Sequence, residues 1–219
     1  WWAARAQRRV QMAWLMRSAS AILRQAQGRL PELEQRLDGF AKRLCELASQ
    51  RAPIDELLVV GHSSGAMLAV SVVARALARA PALGQPGSPL AMLTLGECIP
   101  VLSYQPEAVA FRDELARLRA ATDLVWVDVT APPDGCCFAL IDPTAVCEDG
   151  LSPSSRAASA GPKRVSPRFA QCFDPQRWRA IRRDKYRCHF QYLMAVELAG
   201  GYDYFAISAG SRRLTDRCP

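Results

Sequence analysis

Apolar residues along this chain recur in two rhythms. From residue 30 to residue 47, Leu30, Leu33, Leu37, Phe40, Leu44 and Leu47 alternate at spacings of three and four. That period lines one face of a helix with apolar side chains. Pro31 opens this helix at a position where its missing N–H costs nothing, and Pro53 closes it. Three shorter runs read differently. Residues 55–60 end in Leu-Leu-Val-Val, residues 90–95 read Leu-Ala-Met-Leu-Thr-Leu, and residues 124–129 read Leu-Val-Trp-Val-Asp-Val. Near-continuous apolar runs of this length are the pattern of parallel strands buried on both faces. Helical segments over 64–80 and 107–120 separate them. This alternation specifies an α/β fold with a parallel sheet. Right-handed crossovers bring all strand C-termini to one edge, where ligands bind. Gly61–Gly65, Gly96–Pro100 and the segment after Val129 are therefore expected together.

The remaining segments are less regular. Residues 81–89 are a Gly/Pro-rich loop, and residues 149–167, rich in Ser, Ala, Gly and Pro, are expected to form a flexible loop. Asp174-Pro175 is a helix-start signal, a cap followed by a first-turn proline, for a helix running toward His189. Residues 202–208 read as a last short strand or an edge segment. Residues 1–28 carry Arg5, Arg8, Arg9, Arg17 and Arg24 with no acid, mixed with Trp1, Trp2 and Trp14. They read as a basic, aromatic N-terminal helix, a candidate for membrane-surface or partner contact. Residues 29–219 make up the main domain.

Composition narrows the function classes. The chain has 219 residues, half of them hydrophobic, and a formal net charge of +7. That is enough for one domain with a proper core. No uninterrupted apolar stretch is long enough to span a membrane. No aromatic–basic motif supports nucleic-acid binding. The chain opens on Trp1 without a signal-peptide pattern, and it is read as part of a longer protein. Its eight cysteines include no Cys-x-x-Cys pair, and it has two histidines. Neither a disulfide framework nor a zinc site is expected, no cofactor is implied, and a reducing, cytoplasmic compartment follows.

The candidate chemistry centres on Gly61-His62-Ser63-Ser64-Gly65. It follows an apolar strand and precedes an alanine-rich helix, the context in which G-x-S-x-G presents a nucleophile. The turn holds Ser63 in a strained conformation above the sheet. Glycines on either side let strand and helix approach, and the Ser64 N–H faces a developing oxyanion. A serine hydroxyl needs a histidine to take its proton and an acid to orient that histidine. His62 belongs to the turn and is expected to point elsewhere, which leaves His189. The acid should follow a later strand and precede the histidine. Asp134, on the Pro132-Pro133-Asp134-Gly135 turn, is favoured over Asp128, which lies within the strand alternation, and over the remoter Asp142.

The order Ser63, Asp134, His189, with this turn after a buried strand, resembles the α/β-hydrolase superfamily, in its lipase and esterase branches. The segments Leu95-Gly96-Glu97-Cys98-Ile99-Pro100, Trp126–Val129, His189–Leu193 and Tyr202–Phe205 resemble those of bacterial hydrolase-like proteins of that superfamily. The resemblance implies a parallel, doubly wound sheet of hydrolase type. Members have further strands before the helix that precedes the turn, one of whose loops supplies the second oxyanion N–H. This chain has none there, so the sheet is expected to be incomplete at its N-terminal side. The implied function is hydrolysis of carboxylic esters, lipid or acyl esters among them, through Ser63, His189 and Asp134, with no metal or cofactor. The alternatives are an inactive hydrolase-like protein that binds membrane or a partner through residues 1–28, and an acyltransferase using the same triad.

Overall fold

The three apolar runs form strands β1 (Leu57–His62), β2 (Leu90–Leu95) and β3 (Val125–Val129). The computed structural model describes residues 12–50, 54–85, 89–147, 161–198 and 201–217. The helices before β3 are α1 (Met12–Ala26), α2 (Pro31–Ala48), α3 (Ser64–Arg79), α4 (Ile99–Ser103) and α5 (Val109–Ala120). After β3 come β4 (Lys163–Val165), α6 (Pro175–Arg183), α7 (Lys185–Phe190), α8 (Tyr204–Ala209) and α9 (Leu214–Arg217). The result is an α/β fold around a parallel sheet of four strands, flanked by helices.

The strands pair in the order β1-β2-β3-β4, all parallel. Because the order never reverses, both crossover helices pack on one face, as right-handed connections require. On that face, Leu57, Val59, Leu90, Met92 and Trp126 meet side chains of α1 to α5. On the other, Leu58, Val60, Ala91, Leu93, Leu95, Val127 and Val129 meet Phe169, Trp178, Ile181, Cys188, Tyr192 and Leu214. Side chains alternate faces along a strand, so a continuous apolar run feeds two cores at once. The central strand β2 is buried at every residue, whereas β1, at the sheet edge, is only half-buried. An apolar groove of about 530 Å³ lies along that edge, between β1 and the Leu37–Phe40 side of α2.

Some expectations change. Residues 163–165, assigned to a flexible loop, form β4 and pair with Val127–Val129; most of the rest of that segment lies outside the described residues. Residues 202–208 are not a strand. The Asp203 carboxylate accepts the Ala206 N–H at 3.0 Å and starts helix α8 instead. A cap of this kind outweighs the β preference of the surrounding aromatics. The helix begun by Asp174, which accepts the Gln176 and Arg177 N–H groups, stops at Arg183. Asp184, in extended backbone, then caps α7.

Helix α1 is attached to the domain through Ile22 and Ala26, both in the core. Trp14 is partly exposed and meets Tyr186 edge-on at 5.8 Å. Residues 1–11, with Trp1, Trp2, Arg5, Arg8 and Arg9, lie outside the described residues. Among the described residues, no helix is long and apolar enough to cross a membrane.

Candidate functional site

Ser63 is the residue on which β1 becomes α3. Its backbone lies at φ 56°, ψ −126°, and it is among three non-glycine residues at positive φ in the described chain. A side chain in that region costs on the order of 1–3 kcal/mol and persists only when its surroundings enforce it. Here the Ser63 N–H donates to the Leu95 carbonyl at 2.9 Å, and its own carbonyl accepts from Ala66 at 3.0 Å. The turn is thus pinned to the end of β2. A Cβ on Gly61 would lie 2.6 Å from the Gly65 carbonyl oxygen and 2.8 Å from the Ala66 Cα. Only glycine admits that approach. Gly65 differs from expectation, because a Cβ there would meet nothing within 4 Å. Ser64 is exposed at the first position of α3. Its N–H is one of the four at a helix start that have no intrahelical acceptor.

His189, on α7, is fully buried, and its Nδ1 lies 2.8 Å from Asp134 Oδ2. Burial pushes the Asp134 carboxyl up. The hydrogen bond and charge of His189, with the Cys136 N–H, outweigh that and hold it below the usual carboxylate range. As a carboxylate it only accepts, so the proton sits on Nδ1. Nε2 is then the basic nitrogen of the neutral ring. It is buried and has no hydrogen-bond partner among the described residues. Asp128 and Asp142, the other two acids considered, are engaged elsewhere. Asp128 Oδ1 accepts the Thr94 hydroxyl at 2.7 Å, and Asp142 Oδ1 accepts from Thr144 N–H and hydroxyl.

His62 does not point away. Its Nε2–H donates to the His189 carbonyl at 2.9 Å, and the two rings lie 4.8 Å apart. Burial lowers its pKa, so it stays a neutral donor. The residue beside Ser63 thereby ties β1 to α7. Tyr192 is a second support that sequence reasoning missed. Its hydroxyl accepts the Ala131 N–H at 2.8 Å, at the root of the loop carrying Asp134. Its ring occupies space a Cβ on Gly96 would need, 2.6 Å away, and Gly96 sits at φ +51°. Among the described residues, Asp134 N–H closes the same loop on the Ala131 carbonyl, and Cys136 N–H donates to Oδ1, each at 2.9 Å. Nothing in the local sequence marks His62 or Tyr192 as supports. The glycine at 96 is the one available signal, since it marks a close approach.

Glu97 was not singled out from sequence either. It is fully buried next to Cys98, its Oε2 accepts the Ile99 N–H at 2.6 Å, and Oε1 has no partner among the described residues. Burial, then the charge of Asp128, pushes its carboxyl up to about 8. Burial likewise raises the Cys98 thiol to about 12, and that thiol lies against the Ser63 side chain. For a metal, the converging donors are a carboxylate oxygen of Asp134, the sulfur of Cys136 and a ring nitrogen of His189, all within 4.8 Å of one another.

Comparison of the chain with protein-family models, curated proteins and solved structures returns no match.

Proposed function

We propose that this chain is a serine hydrolase that cleaves carboxylic esters through Ser63, His189 and Asp134 on a sheet of α/β-hydrolase type. One observation carries the reading. A fully buried histidine has Nδ1 on a carboxylate and Nε2 without a partner, and its backbone is tied to the residue preceding a strained serine. A buried nitrogen without a partner is costly in a structural histidine and useful in a general base.

In the proposed reaction, the Ser63 oxygen bonds to the acyl carbon as its proton passes to His189 Nε2. The carbonyl electron pair moves onto oxygen, where the Ser64 N–H stabilises it. Collapse of this adduct expels the alcohol, which takes the proton from His189 and leaves an acyl-Ser63. Water then repeats both steps and releases the acid. Asp134 orients the ring and balances the imidazolium. His62 and Tyr192 act as positioning residues, holding α7 and the Asp134 loop in place. The doubly wound character of the sheet belongs to this proposal. Water exclusion at the acyl-enzyme would turn the same steps into acyl transfer.

The test is hydrolysis of a short-chain p-nitrophenyl ester by the purified chain. Ser63→Ala should lower turnover at least about 10³-fold. Equal rates in the two proteins would refute the reading.

A second reading draws on α1, which leaves Trp14, Leu15, Met16 and Leu23 exposed while Ile22 and Ala26 lie in the core. In that reading the chain binds a membrane surface or a partner through this helix and cleaves nothing. Binding to anionic vesicles that falls steeply with salt, without ester turnover, would favour it.

A further inference from the structure

We propose that Asp134, Cys136 and His189 form a zinc site that competes with the proposed catalytic use of His189. The three side chains come from two places far apart in the chain. Asp134 and Cys136 lie on the loop after β3, while His189 lies on α7, 55 residues beyond Asp134. Their donor atoms all fall within 4.8 Å of one another. Ligand atoms around a tetrahedral zinc ion, at about 2.0–2.3 Å from the metal, are about 3–4 Å apart. The site is therefore within about an ångström of closing on an ion. His189 Nδ1 and Asp134 Oδ2, at 2.8 Å, already have the separation of two ligands at a compressed angle.

The donor chemistry selects the metal. Thiolate, imidazole and carboxylate together suit a borderline-soft ion such as zinc, whereas magnesium and calcium take oxygen ligands. Access is on the cysteine side. His189 and Asp134 are buried, and Cys136 is partly exposed. Three protein ligands leave a fourth position for water. Binding releases the Cys136 thiol proton to solvent and moves the His189 ring proton from Nδ1 to Nε2, as histidine coordinates as a neutral imidazole. The backbone already supports the pocket: Cys136 N–H holds Asp134 Oδ1, and Asp134 N–H is closed on Ala131.

The absence of Cys-x-x-Cys and of paired histidines argued against zinc from sequence. That argument covers structural sites with local ligand pairs. Asp134-x-Cys136 joined to a distant histidine has no such spacing, and only the fold brings it together.

The consequence for activity rests on the proposed hydrolase reading, whereas the metal site does not. An ion on Nδ1 takes the carboxylate from His189 and puts positive charge beside Nε2. Nε2 then carries the ring's own proton and cannot accept that of the serine.

Cobalt(II) titration of the purified chain, kept reduced, tests the site without any substrate. One equivalent should bind, with a thiolate-to-metal charge-transfer band in the near ultraviolet that zinc displaces. Cys136→Ala should lose that band and at least about tenfold in affinity. Cys136→His should keep a bound metal without the charge-transfer band, and Cys147→Ala, at a cysteine outside the cluster, should behave as the parent chain. A band that survives in Cys136→Ala, or no band at millimolar cobalt, would overturn the proposal. Metal binding lost in Cys136→Ala supports the site whether or not esters are cleaved. Ester cleavage unaffected by zinc, from a chain that binds no cobalt, removes the zinc site and leaves the hydrolase reading standing.

Discussion

Two groups of buried carboxyls lie at the same edge of the sheet and carry opposite charge states. Asp134 is buried against His189, which with the Cys136 N–H keeps it ionised below the usual carboxylate range. Glu97 and Asp128 are fully buried too, but among the described residues neither is bonded to a basic side chain. Burial pushes them up to about 8 and about 7. Each also has one oxygen with no partner among the described residues. All three are shielded from solvent, so exclusion from water alone does not set the charge. A partner able to share the proton does. The sheet edge thus separates an ionised carboxyl bonded to a histidine from two carboxyls whose protons are held up toward neutral pH.

Breaking the charged member should have the largest effect. Asp134→Asn removes the charge that fixes the Nδ1 proton of His189, so ester turnover should fall on the order of 10⁴-fold. Steady-state kinetics would check this, and a loss below tenfold would place the orienting acid elsewhere. Asp134 also makes stability rise with pH in the acid range. Its folded pKa is depressed, so its contribution is present above the ordinary carboxylate range and is lost as pH falls through the folded value.

Glu97 has the opposite sign. Its folded carboxyl, raised to about 8 from 4.5, binds a proton that the unfolded chain has already released. Its contribution is complete below the unfolded value and disappears as pH rises toward about 8. Denaturant unfolding should therefore show stability falling by about 3–5 kcal/mol across that window. Glu97→Gln should remove the part of the slope that Asp128 does not supply, most visibly above pH 7, and leave the variant the more stable protein in alkali. An unchanged slope would mean that the proton is held elsewhere. Asp128→Asn should do least. The amide oxygen still accepts from Thr94 and its NH₂ takes the place of the carboxyl proton. Turnover should stay within about threefold, and the slope between pH 4 and 7 should shrink. A hundredfold loss of turnover would erase the distinction between the two groups.

Much of this contrast was legible from sequence, and the missing part has a common cause. The turn at Ser63 and the placement of Asp128 within the strand and Asp134 beyond it follow from local pattern. Strand alternation places residue 128 inside the sheet, and Pro-Pro-Asp-Gly places residue 134 beyond it. The strand at 90–95 appears with the bounds its apolar run predicts. What was hidden depends on contacts between distant segments. Nothing around His62 announces a bond to a carbonyl 127 residues away. Nothing in the sequence around Glu97 marks it as buried; its backbone carbonyl accepts the Phe138 N–H and its carboxylate the Ile99 N–H at the start of α4. The helix at 204–209 was hidden in another way. Its start is the Asp203 cap, set among aromatic residues of high β preference.

The account stands on one claim, that Ser63 is made nucleophilic by the His189–Asp134 pair. The most direct measurement is labelling with a fluorophosphonate probe, followed by peptide mapping of the adduct and a rate comparison with His189→Ala. The account predicts a single adduct on the peptide containing Ser63, formed at least about 10²-fold more slowly in the variant. An adduct on another serine, or the same rate without His189, would contradict it.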